Sequence, residues 1–425
     1  MFYLDNLLKK HGTIDVSVAG AGLMGTSLVT QLNLLENFRP SVVTSRNINS
    51  VLNAYEKAGI DRDKVKITND LNEARDILEK GYYVASENLY IAASFTSCLV
   101  DCTGDTEAGA RLSLMAIENG IDIVSLNVEM DATVGPYLKH LADEREIVYS
   151  GTAGDEPGSI MEIYEFAKFT GFEVLVLGKG KNNALNKFAT VEELTHEAKS
   201  KKLNPRMLTS FVDGTNTMVE LNAVCNATGF VPDIRGCHFF TTDKENIARD
   251  IDLKEKSSKL NSYGVVDFAK GIAPGVFAIV RAKSDVIKDE MKFLTVGEGP
   301  NFAIYRPYHL TSIETPLSIA RAVLLKDSTI APIGKPVAET VAIAKRDLKA
   351  GEYIEGIGSN DVFGELERAS VQKEENLVPI GLIVGQVRLK RDVKKAQALK
   401  YSDLELDDTS LIVKLREKQD KFFVD

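Results

Sequence analysis

The chain has 425 residues, more than one hydrophobic core normally serves, so two or three domains are expected. Its formal net charge of −10 and pI near 5.3 exclude the basic field that nucleic acid or an anionic membrane surface would require. Four cysteines without a close C-x-x-C pairing give no disulfide framework, and no apolar run has the length of a membrane span. With no basic and apolar regions of a signal peptide at its start, the sequence reads as that of a cytoplasmic protein.

The first 150 residues alternate short β-rich runs with helical patterns, as a doubly wound sheet does. Val16-Ser-Val-Ala-Gly20-Ala21-Gly22-Leu23-Met24-Gly25 sets a G-x-G-x-x-G turn between an apolar strand and an apolar helix. Gly20 would permit the turn, Gly22 would let the backbone approach a pyrophosphate, and Gly25 would let helix and strand pack closely, which points to a dinucleotide. The bland alternative is an ordinary glycine-rich βα turn. After the second strand, Ser45 and Arg46 stand where an NAD enzyme carries an acid for the ribose hydroxyls. A guanidinium suits a 2′-phosphate, so NADP(H) is expected, against the alternative of a solvated loop arginine.

Three further loops are predicted at the carboxyl edge of this sheet. Ser97-Cys-Leu-Val-Asp-Cys102-Thr103-Gly104 ends a strand, and Ile121-Asp-Ile-Val-Ser-Leu-Asn127-Val128-Glu129 ends another; Thr103, Gly104 and Asn127 are the expected cofactor contacts there. Cys98 and Cys102, in an apolar strand, read as core and not as a zinc pair. The third loop, Gly154-Asp155-Glu156-Pro157-Gly158, leads into a helix beginning near Ser159.

The middle of the chain reads as a substrate domain. Gly178-Lys179-Gly180-Lys181-Asn182-Asn183 delivers two ammonium groups immediately after an apolar strand, suited to an anionic ligand or to proton donation, unless the segment is a solvated hairpin tip. A helix whose first turns carry Thr215, Asn216 and Glu220 follows, with Asn216 and Glu220 on one face. Arg306 and His309 in Tyr-Arg-Pro-Tyr-His are candidates for gripping the acid or phosphate end of a substrate.

After the linker-like Pro332-Ile-Gly-Lys-Pro336, the segments from Val341 and Val387 look like a weak repeat of a strand, a charged turn and a second strand. A resemblance that covers nearly the whole chain rests on Gly154–Gly158, Gly178–Asn183, Asp213-Gly-Thr-Asn-Thr217, Asn226-Ala-Thr-Gly229, Ala273-Pro-Gly-Val-Phe277, Tyr305-Arg306-Pro-Tyr-His309-Leu310 and Ala344-Lys-Arg-Asp-Leu-Lys-Ala-Gly351. The sequence resembles the homoserine dehydrogenase-like oxidoreductases with a C-terminal SAF domain, which include the DXR-like, or type II, 1-deoxy-D-xylulose 5-phosphate reductoisomerases. The resemblance implies an NADPH-dependent enzyme of α/β class, with a Rossmann domain over 1–155, an α+β catalytic and dimerisation domain over 156–330 whose last part returns to the Rossmann domain, and a β-rich SAF domain over 335–425. It implies a homodimer or higher homo-oligomer and a small hydroxylated, phosphorylated or acidic substrate, with magnesium or manganese assisting a skeletal rearrangement before hydride transfer. Asp155, Glu156 and Glu220 are the carboxylates to test for that cation, although helix caps and salt-bridged acids look the same in sequence and the metal ligands stay unassigned.

Two departures bear on the substrate. Homoserine dehydrogenases carry Asn-Lys where this chain has Asn127-Val128, which argues against that activity. The family's lysine after Gly-Thr is Asn216 here, and its Gly-Met-His-Gly-Pro segment is Gly236-Cys237-His238-Phe239-Phe240. A dehydrogenase of aspartate semialdehyde or of a sugar acid or other sugar phosphate is therefore the rival enzyme reading. Outside enzymes, a non-catalytic NADP-binding redox sensor and a SAF-driven assembly protein remain; the candidate site residues argue against the first, and NADPH binding would exclude the second.

Overall fold

The computed structural model describes residues 2–424, which form two compact units. The first comprises residues 2–158, Leu310–Ala331 and 415–424. Its strands β1 (Ile14–Ala19), β2 (Phe38–Thr44), β3 (Val65–Ile67), β4 (Tyr83–Ser86), β5 (Cys98–Asp101), β6 (Asp122–Ser125) and β7 (Tyr149–Gly151) build one sheet in the order β3-β4-β2-β1-β5-β6-β7. Every neighbouring pair is parallel, as the alternating strand and helix pattern requires. Val16, Val18, Val43 and Val100 share one face of the sheet and are buried there. Leu28, Val29 and Leu32 of the helix Leu23–Asn33 pack on it, joined by Ile319, Ala320 and Ala322 from the returning segment. Each such buried Leu, Ile or Val contributes about 1.5–3 kcal/mol relative to exposure. Strand order reverses between β1 and β5, so their carboxyl ends open a crevice at the glycine loop.

The second unit comprises Ser159–His309 and Pro332–Lys414. Strands β8 (Glu173–Gly180), β9 (Val231–Pro232), β10 (Phe240–Thr241), β11 (Val265–Lys270), β12 (Val276–Arg281) and β13 (Asn301–Arg306) form a mixed sheet in the order β10-β11-β8-β12-β13, with β9 also on β11. β11 runs parallel to β8, whereas β12 is antiparallel to both β8 and β13. Leu175, Val176, Val265, Phe277 and Ile279 anchor its core.

Residues 332–414 do not stand apart from this unit. β14 (Ala338–Ala344) pairs with β16 (Val362–Arg368), while β15 (Tyr353–Ile354), β17 (Val387–Leu389) and β18 (Leu404–Glu405) make a smaller sheet. The two segments expected to repeat lie against each other, through β15 on β17 and bridges Ile343–Ala398 and Leu348–Val393. The helix Thr215–Thr228 packs on β11 and also on β14 and β16, and is buried on every side. Its polar residues accordingly have partners: Asn222 donates to Thr340 Oγ1 at 3.1 Å, and Asn226 Oδ1 accepts the Val337 N–H at 2.9 Å.

Candidate active site

β8 begins as an apolar strand and ends in Gly178-Lys179-Gly180. The sequence pattern places both lysines just past the strand; instead Lys179 lies within it and both are buried, at 4% and 7% exposure for Lys179 and Lys181. The glycines are the reason. A Cβ at Gly178 would fall 2.2 Å from the Asp267 carbonyl, and one at Gly180 would fall 2.5 Å from the Ala273 nitrogen. Neighbouring backbone closes in on both sides, so this segment is not a solvated hairpin tip.

Register then assembles a row. Phe268, Lys179, Val276 and Arg306 are paired in turn across β11, β8, β12 and β13, so their side chains share one face of the sheet. On that face Lys179 forms a buried ion pair with Glu220, each side chain 5% exposed. Asn216 Nδ2 donates to the other Glu220 oxygen at 2.6 Å, as their spacing of four on one helix predicts. Lys181 Nζ donates to the Phe211 carbonyl at 2.6 Å. Arg306, 12% exposed, donates from Nη1 to Ser159 Oγ at 2.6 Å, pairs with Glu162 at 3.3 Å, and lies over the Tyr308 ring. His309 is partly buried in the loop past β13.

Glu156 opens the helix Glu156–Phe169, three residues earlier than expected, with Asp155 just before it; both are partly buried. Ser159 and Glu162, the arginine's partners on this helix, escaped the sequence reading although their spacing of three puts them on one face. A buried pair between Asp213 and Lys345, at 2.8 Å, also escaped it. Separation along the chain left no signal for that pair.

In the first unit the glycine loop has the expected build. Gly20 has φ +101°, and a Cβ there would meet the Cys102 carbonyl at 2.5 Å; a Cβ at Gly25 would lie 1.8 Å from the Gly20 oxygen. A Cβ at Gly22, by contrast, would meet no atom within 4 Å, and this residue caps the helix Leu23–Asn33 without any side-chain hydrogen bond. The first-turn N–H groups therefore face open space, the arrangement that receives a pyrophosphate. Ala21 is buried, and Leu23 and Met24 are exposed beside it. Past β2, Ser45 is partly buried and Arg46 exposed.

Asn127 caps the helix Val128–Asp143. It is fully buried, and its amide donates to Asp101 Oδ2 at 3.0 Å, Thr103 Oγ1 at 3.2 Å and the Asp105 carbonyl at 2.9 Å, while its oxygen accepts the Met130 N–H. A side chain so engaged holds the β5 and β6 loops together. Thr103 is fixed likewise, donating its N–H and hydroxyl to Asp101 Oδ1, which leaves Gly104, at φ +62°, as the open part of that loop. Burial raises the Asp101 carboxyl and pushes Glu129 up to about 7 and Asp131 to about 6, the latter despite the Tyr149 hydroxyl donating to it at 2.9 Å. All four cysteines are free thiols, with burial raising their pKa values, so none is a ready zinc ligand.

Residues 154–315 match the family model described as "Oxidoreductase DRL, catalytic domain". The matched stretch includes Asp155, Glu156, Lys179, Lys181, Glu220, Arg306 and His309. Among curated proteins none matches the chain in sequence. Solved structures similar to it include the 1-deoxy-D-xylulose 5-phosphate reductoisomerase from Zymomonas mobilis in complex with NADPH, 18% identical, with a TM-score of 0.34 over 49% of this chain and 56% of that one. This chain thus spans little more than half of that enzyme. A DOX-P reductoisomerase in complex with magnesium is 13% identical, with a TM-score of 0.40 over 73% of this chain and 69% of that one. A probable dehydrogenase from Thermotoga maritima is 9% identical, with a TM-score of 0.43 over 76% of this chain and 91% of that one.

Proposed function

We propose that the chain is an NADPH-dependent oxidoreductase acting on a small hydroxylated, phosphorylated or acidic carbonyl compound, in its most concrete form a DXR-like 1-deoxy-D-xylulose 5-phosphate reductoisomerase of the homoserine dehydrogenase-like, SAF-bearing kind. The observation that carries this reading is the buried Lys179–Glu220 pair with Asn216, on one sheet face with Arg306 and inside the segment that matches an oxidoreductase catalytic domain. A buried ion pair is costly to keep and is a weak device for stability, so its place beside a second buried lysine favours a chemical role.

The glycine loop supports the cofactor. Its open Gly22 and uncapped helix start would receive the pyrophosphate, with Ser45 and Arg46 at the 2′-phosphate and Gly104 along the loop past β5. NADPH, when bound, supplies the hydride. A divalent cation, when bound, polarises the substrate's oxygens. Asp155, Glu156 and Glu220 would hold such a cation: as carboxylates they are hard oxygen donors. Lys179, held by Glu220, would deliver a proton to the developing alkoxide. Lys181, held by the Phe211 carbonyl, adds positive charge to the same site, while Arg306 and His309 would take the substrate's anionic end. Expected with this reading are a homodimer and a cytoplasmic location; no helix among the described residues is long and apolar enough to cross a membrane.

The test is NADPH oxidation by the purified protein with magnesium or manganese, comparing 1-deoxy-D-xylulose 5-phosphate with aspartate semialdehyde and a panel of sugar phosphates and sugar acids. Turnover of the first that a chelator abolishes supports the reductoisomerase reading. NADPH binding without that turnover, and activity on another substrate, would transfer the reading to a dehydrogenase and make Asn216 and Phe239 the residues to examine. No NADPH binding would remove both.

A further inference from the structure

The C-terminal segment carries a buried lysine that the reaction does not use. Lys345 follows β14, and its side chain is 2% exposed. Its ammonium donates to the Ala189 carbonyl at 2.9 Å and the Ser359 carbonyl at 2.7 Å, and it pairs with the fully buried Asp213 at 2.8 Å. The ion thus has two carbonyl acceptors and a buried carboxylate as its counter-charge, the kind of surroundings a buried ammonium requires.

Asp213 is a joint. It ends the helix Pro205–Asp213, and after the left-handed turn at Gly214 the helix Thr215–Thr228 begins, with the Thr215 N–H donating to Asp213 Oδ1 at 2.8 Å. Two residues before the joint, the Phe211 carbonyl holds Lys181. Beyond it, Glu220 holds Lys179, and Asn216 donates to Glu220. The C-terminal segment grips the same turn a second time, through the Gly364 N–H donating to Thr215 Oγ1 at 2.8 Å. By contrast, the neighbouring Arg346 pairs only with Glu352 and Asp361 of its own segment among the ion pairs described.

We infer that Lys345 is a positioning residue: by clamping Asp213 it sets the turn from which Phe211 and Glu220 hold the two site lysines, so the C-terminal segment is a working part of the catalytic centre. This rests on the reading of Lys179 and Glu220 as the reactive pair. A displaced Glu220 misplaces the Lys179 ammonium, and a shift on the order of 1 Å at a reacting group costs roughly 10²-fold in rate.

The experiment uses the full chain labelled with 15N-lysine. The Nζ resonance of Lys179 is assigned by its loss in Lys179→Arg and followed in Lys345→Met, in Thr215→Val and in Arg346→Met. We expect it to move in Lys345→Met and less far in Thr215→Val, and to hold its place in Arg346→Met. With NADPH and the substrate that the wild type turns over, kcat of Lys345→Met should fall roughly 10²-fold while KM for NADPH is unchanged. Should Lys345→Met fail to fold, Thr215→Val, which removes one hydroxyl at nearly constant volume, carries the test. An unmoved Lys179 resonance in the folded variants overturns the inference whatever the turnover, as does an equal movement in Arg346→Met. Full turnover by Lys179→Met would instead overturn the functional reading and leave the clamp standing.

Discussion

Replacing Lys179 with methionine keeps most of the side chain's volume and removes its charge, which leaves the Glu220 carboxylate buried without its ammonium. Two unit charges at about 3 Å in a medium of effective dielectric about 20 attract by about 5–6 kcal/mol. Both side chains are only 5% exposed, so solvent screens little of this. Desolvation of the two ions offsets much of that attraction in the intact protein, but a single substitution keeps the penalty for Glu220 and loses the compensation, which costs about 3–5 kcal/mol. Asn216 still donates to one carboxylate oxygen at 2.6 Å, which argues for the lower end, about 3 kcal/mol. Glu220→Gln should cost a similar amount by stranding the lysine. The double variant removes both charges, and the coupling should return about 2 kcal/mol or more of the summed loss. Urea unfolding followed by far-ultraviolet circular dichroism near neutral pH, on all four proteins, gives each term. Single-variant losses below about 1 kcal/mol, the range of an exposed pair, or a double variant that equals the sum of the singles, would refute the reasoning.

The glycine loop makes a sharper separation of binding from folding. Gly22→Ala should leave stability within about 0.5 kcal/mol, because a Cβ there meets nothing within 4 Å, while weakening NADPH binding at least about tenfold by filling the space of the pyrophosphate; titration of cofactor fluorescence reads this in a chain that has no tryptophan. Arg46→Ala should reduce the preference for NADPH over NADH about tenfold or more, since a hydrogen bond to a charged group is worth about 1.5–3 kcal/mol, and an unchanged ratio of the two affinities would remove Arg46 from the cofactor site. Glu129 titrates at about 7 against an ordinary 4.5, so the folded chain holds a proton that the unfolded chain releases between those values, and stability falls as pH rises through that window. Glu129→Gln should therefore match the wild type in urea midpoint at the acid end of that window and exceed it above pH 7; equal midpoints at both ends would count against a buried carboxyl there.

Local patterns made some of the site legible. The glycine triplet lies between a strand and a helix that are contiguous in sequence, and Asn216 with Glu220 is a spacing of four on one helix, so both could be read from neighbouring residues. The partners of Asn127 are illegible for the opposite reason. A polar residue at the end of a Rossmann strand is in the right place for a cofactor, but its partners Asp101, Thr103 and Asp105 come from the preceding βα connection, and only their folded positions show that they occupy its amide. The lysines of Gly178–Lys181 are open to two readings in sequence, because a charged run bounded by glycines is as good a hairpin tip as a buried strand end. Close approach of the Asp267 and Ala273 backbone settles which it is.

By itself the sequence determined the α/β class, the dinucleotide turn, the candidate lysines and carboxylates, and the acidic surface, all of which follow from residue type and short-range period. Tertiary structure alone decided that Phe268, Lys179, Val276 and Arg306 share a row, that Glu220 faces Lys179, and that Lys345 clamps Asp213 from 132 positions away along the chain. The physical reason is the range of the forces. Propensity and turn chemistry act over a few residues, whereas the pairing of a buried charge depends on which strands and helices end up adjacent once the apolar surface of the whole unit has been removed from water.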